Sequence, residues 1–323
     1  MSAATFRVAV IGGGANCEHE VSLASAASVA TALDELGHDV VRLTIDPDGW
    51  WLDGGGAVIG LAAAVEVLRG CDVAMPVVHG PHGEDGTLAA LCDLAGVPFV
   101  GSAVGAGAVA MDKWATKLVA EAVGIRTARG VVLTPDTAAA YRFTGPVVVK
   151  PVAAGSSHGV SLVRMPGQLA PALTTALALD HRVLVEEVVC GREIDIAVLG
   201  EGSARRVSPP LEVVTDGLFD HTTKYDGSAT FVVPAPLLEH ERGQLAAAAV
   251  AMYDALGCAG VARIDFFLTD AGIVLNEVNT MPGFTEHSQV PRMFAADRLA
   301  YPELLDVLIR DALDLRAVRA FAG

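Results

Sequence analysis

Residues 261–284 read VARIDFFLTDAGIVLNEVNTMPGF, and how this stretch folds back decides the reading of the chain. Two apolar runs flank TDAG, a turn-forming segment, so the stretch reads as a β-hairpin. Side chains alternate faces along a strand, so Arg263 and Asp265 share a face, as do Glu277 and Asn279. A three-residue loop, Asp270-Ala271-Gly272, puts Gly272 in the left-handed position that such loops favour. That register sets Asp265 opposite Glu277 and Arg263 opposite Asn279. Two carboxylates, an amide oxygen and a guanidinium then converge on one patch. Hard oxygen ligands of this kind suit Mg²⁺, which keeps waters and shares its coordination with substrate phosphates. The solvent face of a half-buried hairpin explains any one of these residues taken singly; four facing together point to a site.

The chain that contains this hairpin has 323 residues, enough for two or three domains, of which 52% are hydrophobic. No apolar run has the length of a bilayer span, and MSAATFRVAVIGGG enters a strand pattern without signal-peptide architecture, so a cytoplasmic protein away from membranes is expected. The five cysteines have no CxxC spacing and read as buried small residues, not a disulfide framework or zinc site. Lys and Arg number 22 against 38 Asp and Glu, a net charge of −16 that repels phosphate backbones and argues against a nucleic-acid partner. An anionic small substrate needs its own local cations.

Upstream, strands alternate with helices: FRVAVIGGG, HDVVRLTI and VAMPVVHG against HEVSLASAASVATALDELG, AAAVEVLRG and GEDGTLAALCDLAGV, followed by a short strand PFVGS. That alternation predicts a parallel sheet covered by helices over 1–101. From residue 102 a small-residue helix, AVGAGAVAMDKWATKLVAEAVG, precedes the strands TARGVVL, PVVVKPV and RVLVEEVV, giving a second segment of 102–186. The third, 187–323, holds the strands EIDIAVLG, RRVSPPLEVV and TFVVPAP, the helix EHERGQLAAAAVAMYDALG, the hairpin, and the amphipathic tail YPELLDVLIRDALDLRAVRAF.

Two glycine-bearing turns are candidates for anion binding. Gly12-Gly13-Gly14 ends the first strand, but a dinucleotide fingerprint needs glycine where Cys17 stands. These glycines still free backbone N–H groups for an anion. Of the acids that follow, Glu18 reads as a helix-capping residue. Lys150 closes a β-branched strand, and AAGSSHGVS after it is small enough to lie over phosphates, though it lacks the Walker pattern and equally suits a surface turn. Lys113 lies in a helix of small residues, where a lone lysine is usually solvated.

Taken together, EHEVSLASA, HGPHGEDGT, FVGS, AMDKWATK, VVVKPVAAGSSHGVS, TKY, GVARIDFF and LNEVNTMPGFTEHS resemble the D-alanine–D-alanine ligases of the ATP-grasp superfamily, through nearly the whole chain. The resemblance implies an α/β protein, an N-terminal parallel-sheet domain followed by a two-part ATP-grasp fold (α+β). It also implies a ligase that joins two D-alanines through an acyl phosphate for peptidoglycan synthesis, with a homodimer as the expected assembly. By the same resemblance Lys113 and Lys150 would contact ATP phosphates, with Ser157 in the loop closing over them. Glu186 would read the adenine amino group, Glu187 and Val189 would flank the base, Glu193 would hold the ribose, and Lys224 would reach the γ-phosphate. Asp265, Glu277 and Asn279 would hold two Mg²⁺ ions, with Mn²⁺ an admissible substitute. Glu20 would take the ammonium of the first D-alanine beside His79, linked by hydrogen bonds to Ser156 and Tyr225. Arg263 and the Gly283 N–H would stabilise developing negative charge, and Ser288 would take the second carboxylate.

Four single residues and one segment depart from the family pattern: Ala153 and Ala154 before GSS, Glu187 where many relatives have lysine, Gln289 where relatives usually have leucine or methionine, and FDHTT at 219–223, less acidic and aromatic than usual. Ligases of the family that make D-alanyl-D-lactate typically lose the lysine-tyrosine pair kept here as Lys224 and Tyr225, so the resemblance implies an amine and not a hydroxyl nucleophile. The Gln289 amide either hydrogen-bonds a side-chain hydroxyl or points away, and the expectation is D-alanine as the preferred second substrate, with D-serine accepted better than in leucine-bearing relatives and D-lactate poorly. Other readings are a nucleotide-dependent oxidoreductase, which the failed glycine fingerprint opposes, a non-catalytic nucleotide-binding module, which the intact metal-type residues oppose, and an ATP-grasp ligase with a different second substrate.

Overall fold

The protein is described by a computed structural model over residues 4–201, 204–214 and 230–321. Its first sheet is made of β1 (Arg7–Gly13), β2 (Asp39–Ile45), β3 (Trp51–Leu52) and β4 (Val73–Pro76). The order is β3-β2-β1-β4, with β1 parallel to β2 and β4, and β3 antiparallel at the edge. Along β1 alternate residues enter different cores. Val8 and Val10 pack with Val29 and Leu33 of α1 (His19–Glu35), whereas Ala9 and Ile11 pack with Leu68 of α2 (Gly60–Arg69) and Leu88 of α3 (Thr87–Ala95). Both faces are covered, which is why the strand is an unbroken apolar run. PFVGS, expected as a strand, forms only a single parallel bridge, Phe99 to Ala74.

The glycine cluster does not cradle an anion. A Cβ on Gly12 would fall 2.4 Å from that of Ala26, one on Gly13 would lie 2.1 Å from the Ile45 carbonyl oxygen, and the Gly14 N–H donates to Ile45 O. The glycines bring α1 and β2 close to β1.

The helix expected over 103–124 is two, α4 (Val104–Met111) and α5 (Lys113–Ala122). Asp112 between them is extended, and its side chain accepts from the Ala115 N–H as an N-cap. A second sheet, order β5-β8-β6-β7, is antiparallel: β5 (Gly130–Leu133), β6 (Val147–Pro151), β7 (Ser161–Val163) and β8 (Val183–Glu187). Besides the short α6 (Pro135–Ala138), it carries α7 (Pro166–Leu177), whose Pro166, Gly167 and Pro171 hid it from a propensity reading.

The third sheet follows the order β12-β11-β9-β13-β14, with β10 also on β9. Its strands are β9 (Arg192–Glu201), β10 (Ala204–Val207), β11 (Leu211–Val214), β12 (Thr230–Val232), β13 (Val261–Thr269) and β14 (Gly272–Asn279). RRVSPPLEVV is two strands, because Pro209 and Pro210 cannot donate to a ladder. Ile194, Ile196 and Val198 pack under α8 (Glu239–Leu256). On the other face Ala197 and Leu199 join Val290, Met293 and Phe294 of α9 (Gln289–Ala296) and Leu304, Leu305 and Leu308 of α10 (Tyr301–Phe321). That cluster also contains Val8 and Met75, so the first and third sheets share one core. Among the described residues no helix is long and apolar enough to cross a membrane.

Candidate active site

The hairpin β13–β14 delivers the expected pairs by an unexpected route. Thr269 pairs with Gly272, so the loop has two residues, and this register alone would set Asp265 opposite Asn276. One residue, Asn276, is inserted between Leu275, which pairs with Phe266, and Glu277, which pairs with Asp265. The bulge restores Asp265 opposite Glu277 and Arg263 opposite Asn279, and turns Asn276 and Glu277 into the same cleft. Arg263 grips Asp265 in a fork, Nε to Oδ1 and Nη2 to Oδ2, both at 2.7 Å, and Asn279 Nδ2 donates to Oδ2 at 3.0 Å. Although desolvation opposes its charge, Asp265, Asp195 and Glu277 hold the guanidinium pKa well above its ordinary value.

A cleft of about 570 Å³ lies between the second and third sheets. Lys113, Lys150, Ser157, Glu186, Glu193 and Glu277 line it, and Glu187 and Val189 lie on its wall. Lys113 Nζ is 3.4 Å from Glu277 Oε2 and also donates to Ala154 O at 2.8 Å. Buried Glu186 has a lysine on each oxygen: Lys150 on Oε1 at 2.5 Å and Lys117 on Oε2 at 2.7 Å. Burial pushes the Glu186 pKa up, but the two cations outweigh it and the carboxyl stays ionised. Lys117 escaped the sequence reading. Its signal was its spacing, one helical turn beyond Lys113 and so on the same face. Lys117→Met is expected to destabilise the protein by about 3 kcal/mol, the low end for breaking a buried ion pair, since Lys150 remains. Urea unfolding at unchanged m-value measures it, and a loss under about 1 kcal/mol would show that Lys150 suffices.

A second cavity, about 240 Å³, opens beside Arg263 and receives His79, Ser156, Gly283, Ser288 and Gln289. Glu18, not Glu20, enters it. Glu20 is exposed on the first turn of α1, whereas Glu18 is buried at the N-cap position and makes no capping bond. Ser156 Oγ donates to Glu18 Oε1, and Glu18 Oε2 is buried without a hydrogen-bond partner among the described residues. Gly80 and Gly155 make room for it: a Cβ on either would lie 2.3 and 1.9 Å from Oε2. A buried carboxylate oxygen lacking a donor calls for a cation. Ser156 and Ser157 hold the loop in left-handed conformations, φ 46° and 56°, strain of the kind that accumulates at functional sites. Lys224 and Tyr225 lie outside the described residues.

His79 is fixed between Ser25 Oγ at 2.9 Å and Met281 O at 2.8 Å, and burial depresses its pKa, so it is neutral near pH 7. Glu84, another residue the sequence reading passed over, also lines this cavity and accepts from the Gly80 and Met281 N–H groups. Desolvation and the charge of Glu18 push its carboxyl up to about 7. A raised acid pKa means the folded state holds the proton more tightly than the unfolded chain. Its contribution is therefore complete below about pH 4.5 and erodes as pH rises towards 7, by about 3 kcal/mol at most. Melting temperature measured from pH 5 to 8 should fall less steeply in Glu84→Gln than in the parent; parallel curves would remove Glu84 as the cause.

Asp265, Glu277 and Asn279 form a hard-oxygen donor set beside a cleft with room for phosphates, the setting in which Mg²⁺ is held by one or two carboxylates plus substrate. Asn279 gives its Nδ2 to Asp265, which leaves its oxygen for a metal, so the residues fit such an ion.

Comparison with known proteins assigns the family. Family profiles described as "D-ala D-ala ligase N-terminus" and "D-ala D-ala ligase C-terminus" match residues 7–64 with 56–102, and 118–310. The chain is 38% identical to the D-alanine–D-alanine ligase of Mycolicibacterium smegmatis, with 95% of each chain covered. Among solved structures it resembles the VanG D-Ala:D-Ser ligase from Enterococcus faecalis, with a TM-score of 0.84, 33% identity, and 96% and 100% of the two chains covered. The D-alanine-D-alanine ligase from Coxiella burnetii gives a TM-score of 0.82 at 30% identity, over 99% and 97%.

Proposed function

The chain belongs to the D-alanine–D-alanine ligase family, with the ATP-grasp fold, and on that premise we propose how its residues divide the work of joining two D-alanines with ATP. The observation that carries the reading is the adjacency of two cavities that share Glu277: a lysine-lined cleft of nucleotide size and a smaller chamber beside Arg263, in which one buried carboxylate oxygen, Glu18 Oε2, has no hydrogen-bond partner among the described residues.

The first D-alanine places its ammonium on Glu18, with His79 and Ser156 around it, and turns its carboxylate towards the cleft. ATP lies in that cleft, its phosphates on Lys113 and Lys150 under the Ser157 loop. Its adenine lies against Glu186, Glu187 and Val189, its ribose hydroxyls on Glu193, and Lys224 reaches the γ-phosphate. Asp265, Glu277 and Asn279 would hold two Mg²⁺ ions, which would supply charge neutralisation for the phosphates. A carboxylate is a poor electrophile, so transfer of the γ-phosphoryl group makes it an acyl phosphate. The second D-alanine, its carboxylate at Ser288, attacks through its amine, and Arg263 with the Gly283 N–H stabilises the oxyanion. Phosphate then leaves. Closure of the Ser156 loop, with Tyr225, keeps water from the acyl phosphate. The dipeptide enters peptidoglycan precursors, and the enzyme acts in the cytoplasm as a homodimer.

Phosphate release from ATP should require D-alanine and a divalent ion together, with one D-alanyl-D-alanine formed per phosphate. Release that ignores D-alanine, or that persists in chelator, would remove this reading.

A further inference from the structure

We propose that Gln289 and the buried Asp195 form a relay that sets the orientation of Arg263, and that Gln289 does not read the second substrate's side chain. The proposal rests on the ligase reading for what Arg263 does, and on geometry for the relay. Gln289 is the first residue of α9, and Asp195 lies on β9, 94 residues away in sequence and 1% exposed. Gln289 Oε1 accepts from Arg263 Nη1 at 2.8 Å, and its Nε2 donates to Asp195 Oδ2 at 2.8 Å. This amide orientation is the one whose polarity suits both neighbours; flipped, it would set an NH₂ against a guanidinium and an oxygen against a carboxylate.

Asp195 Oδ2 is itself 3.6 Å from Arg263 Nε, so the guanidinium stands between two aspartates. Asp265 holds it in a fork on one edge. Gln289 takes that same oxygen, Asp195 Oδ2, by hydrogen bonding and hands Arg263 an uncharged acceptor. Without that amide, the second buried carboxylate would pull the guanidinium towards itself and away from the oxyanion position. Of five guanidinium N–H groups, three donate to Asp265 and Gln289, which leaves two without a hydrogen bond among the described residues and available to a substrate oxygen. Because both ends of the Gln289 amide are engaged, the expectation that it greets a D-serine hydroxyl loses its basis. The substitution of glutamine for an apolar residue is explained by the aspartate behind it.

The test is a double-mutant cycle on the full chain, with phosphate release and product mass as readouts. Gln289→Leu should lower kcat by about 10- to 100-fold, the effect of stranding hydrogen-bonded charged groups, with the KM for ATP unchanged. Adding Asp195→Leu should restore kcat to within about threefold of the parent, because removing both partners of a buried polar pair is far less harmful than removing one. The ratio of D-alanyl-D-serine to D-alanyl-D-alanine from an equal mixture should be the same in the parent and in Gln289→Leu. A Gln289→Leu enzyme with kcat within twofold of the parent overturns the relay, whatever the double variant does. A double variant no better than the single overturns the role of Asp195, and a tenfold drop in the D-serine ratio overturns the exclusion of Gln289 from substrate reading. If the parent itself makes no dipeptide, the ligase reading has failed; the relay is then judged by melting temperature, which should drop in the single variant and recover in the double.

Discussion

Glu277→Gln is expected to lower turnover by about 10³ or more, corresponding to the several kcal/mol that metal-assisted charge neutralisation supplies to phosphoryl transfer. The substitution keeps size and shape and removes one charge. Its partner Lys113 is 3.4 Å away and also donates to Ala154 O, so the lysine keeps one acceptor and a glutamine oxygen can serve as the other. Unfolding free energy should change by no more than about 1 kcal/mol. The measurement is kcat from phosphate release at saturating ATP and D-alanine, over a range of Mg²⁺ and Mn²⁺ concentrations, beside a melting curve. Near-normal turnover would return Glu277 to the status of a strand surface residue.

The second large effect separates two glutamates that stand two residues apart. Glu18→Gln should reduce kcat/KM for D-alanine by about 10²–10³, since removing one partner of a buried ion pair costs about 3–5 kcal/mol. Protection of the protein by ATP against heating should persist, because Glu18 lies in the smaller chamber and not in the nucleotide cleft. Glu20→Gln should be almost silent, within about 0.5 kcal/mol, as for an exposed helix residue with no ion pair or hydrogen bond among the described residues. The reverse result, a silent Glu18 and a damaging Glu20, would contradict the placement of the ammonium.

What the sequence by itself determined was periodic or local. The two-residue alternation of VARIDFF put Arg263 and Asp265 on one face, and the long periodic runs marked the helices at 239–256 and 301–321. The ordered motifs identified the ligase family. Local patterns of this kind are written into consecutive residues because strand and helix geometry repeat every 2 and 3.6 residues. The tertiary structure decided what depends on distant partners. In EHEVS a helix starts at His19, and either glutamate could face a cavity. The choice falls to Glu18 because Gly80 and Gly155, 62 and 137 residues away, leave the space its carboxylate fills. Likewise the bulge at Asn276 reflects no turn signal; a two-residue loop needs an extra residue downstream to bring Glu277 opposite Asp265. Glu84 and Lys117 acquire their meaning only from the charges brought against them, Glu18 and Glu186. Gln289 looked like a probe for a substrate hydroxyl until Asp195 appeared behind it. Burial and charge pairing act across space and not along the chain, so a sequence names the candidates for a site while packing selects among them.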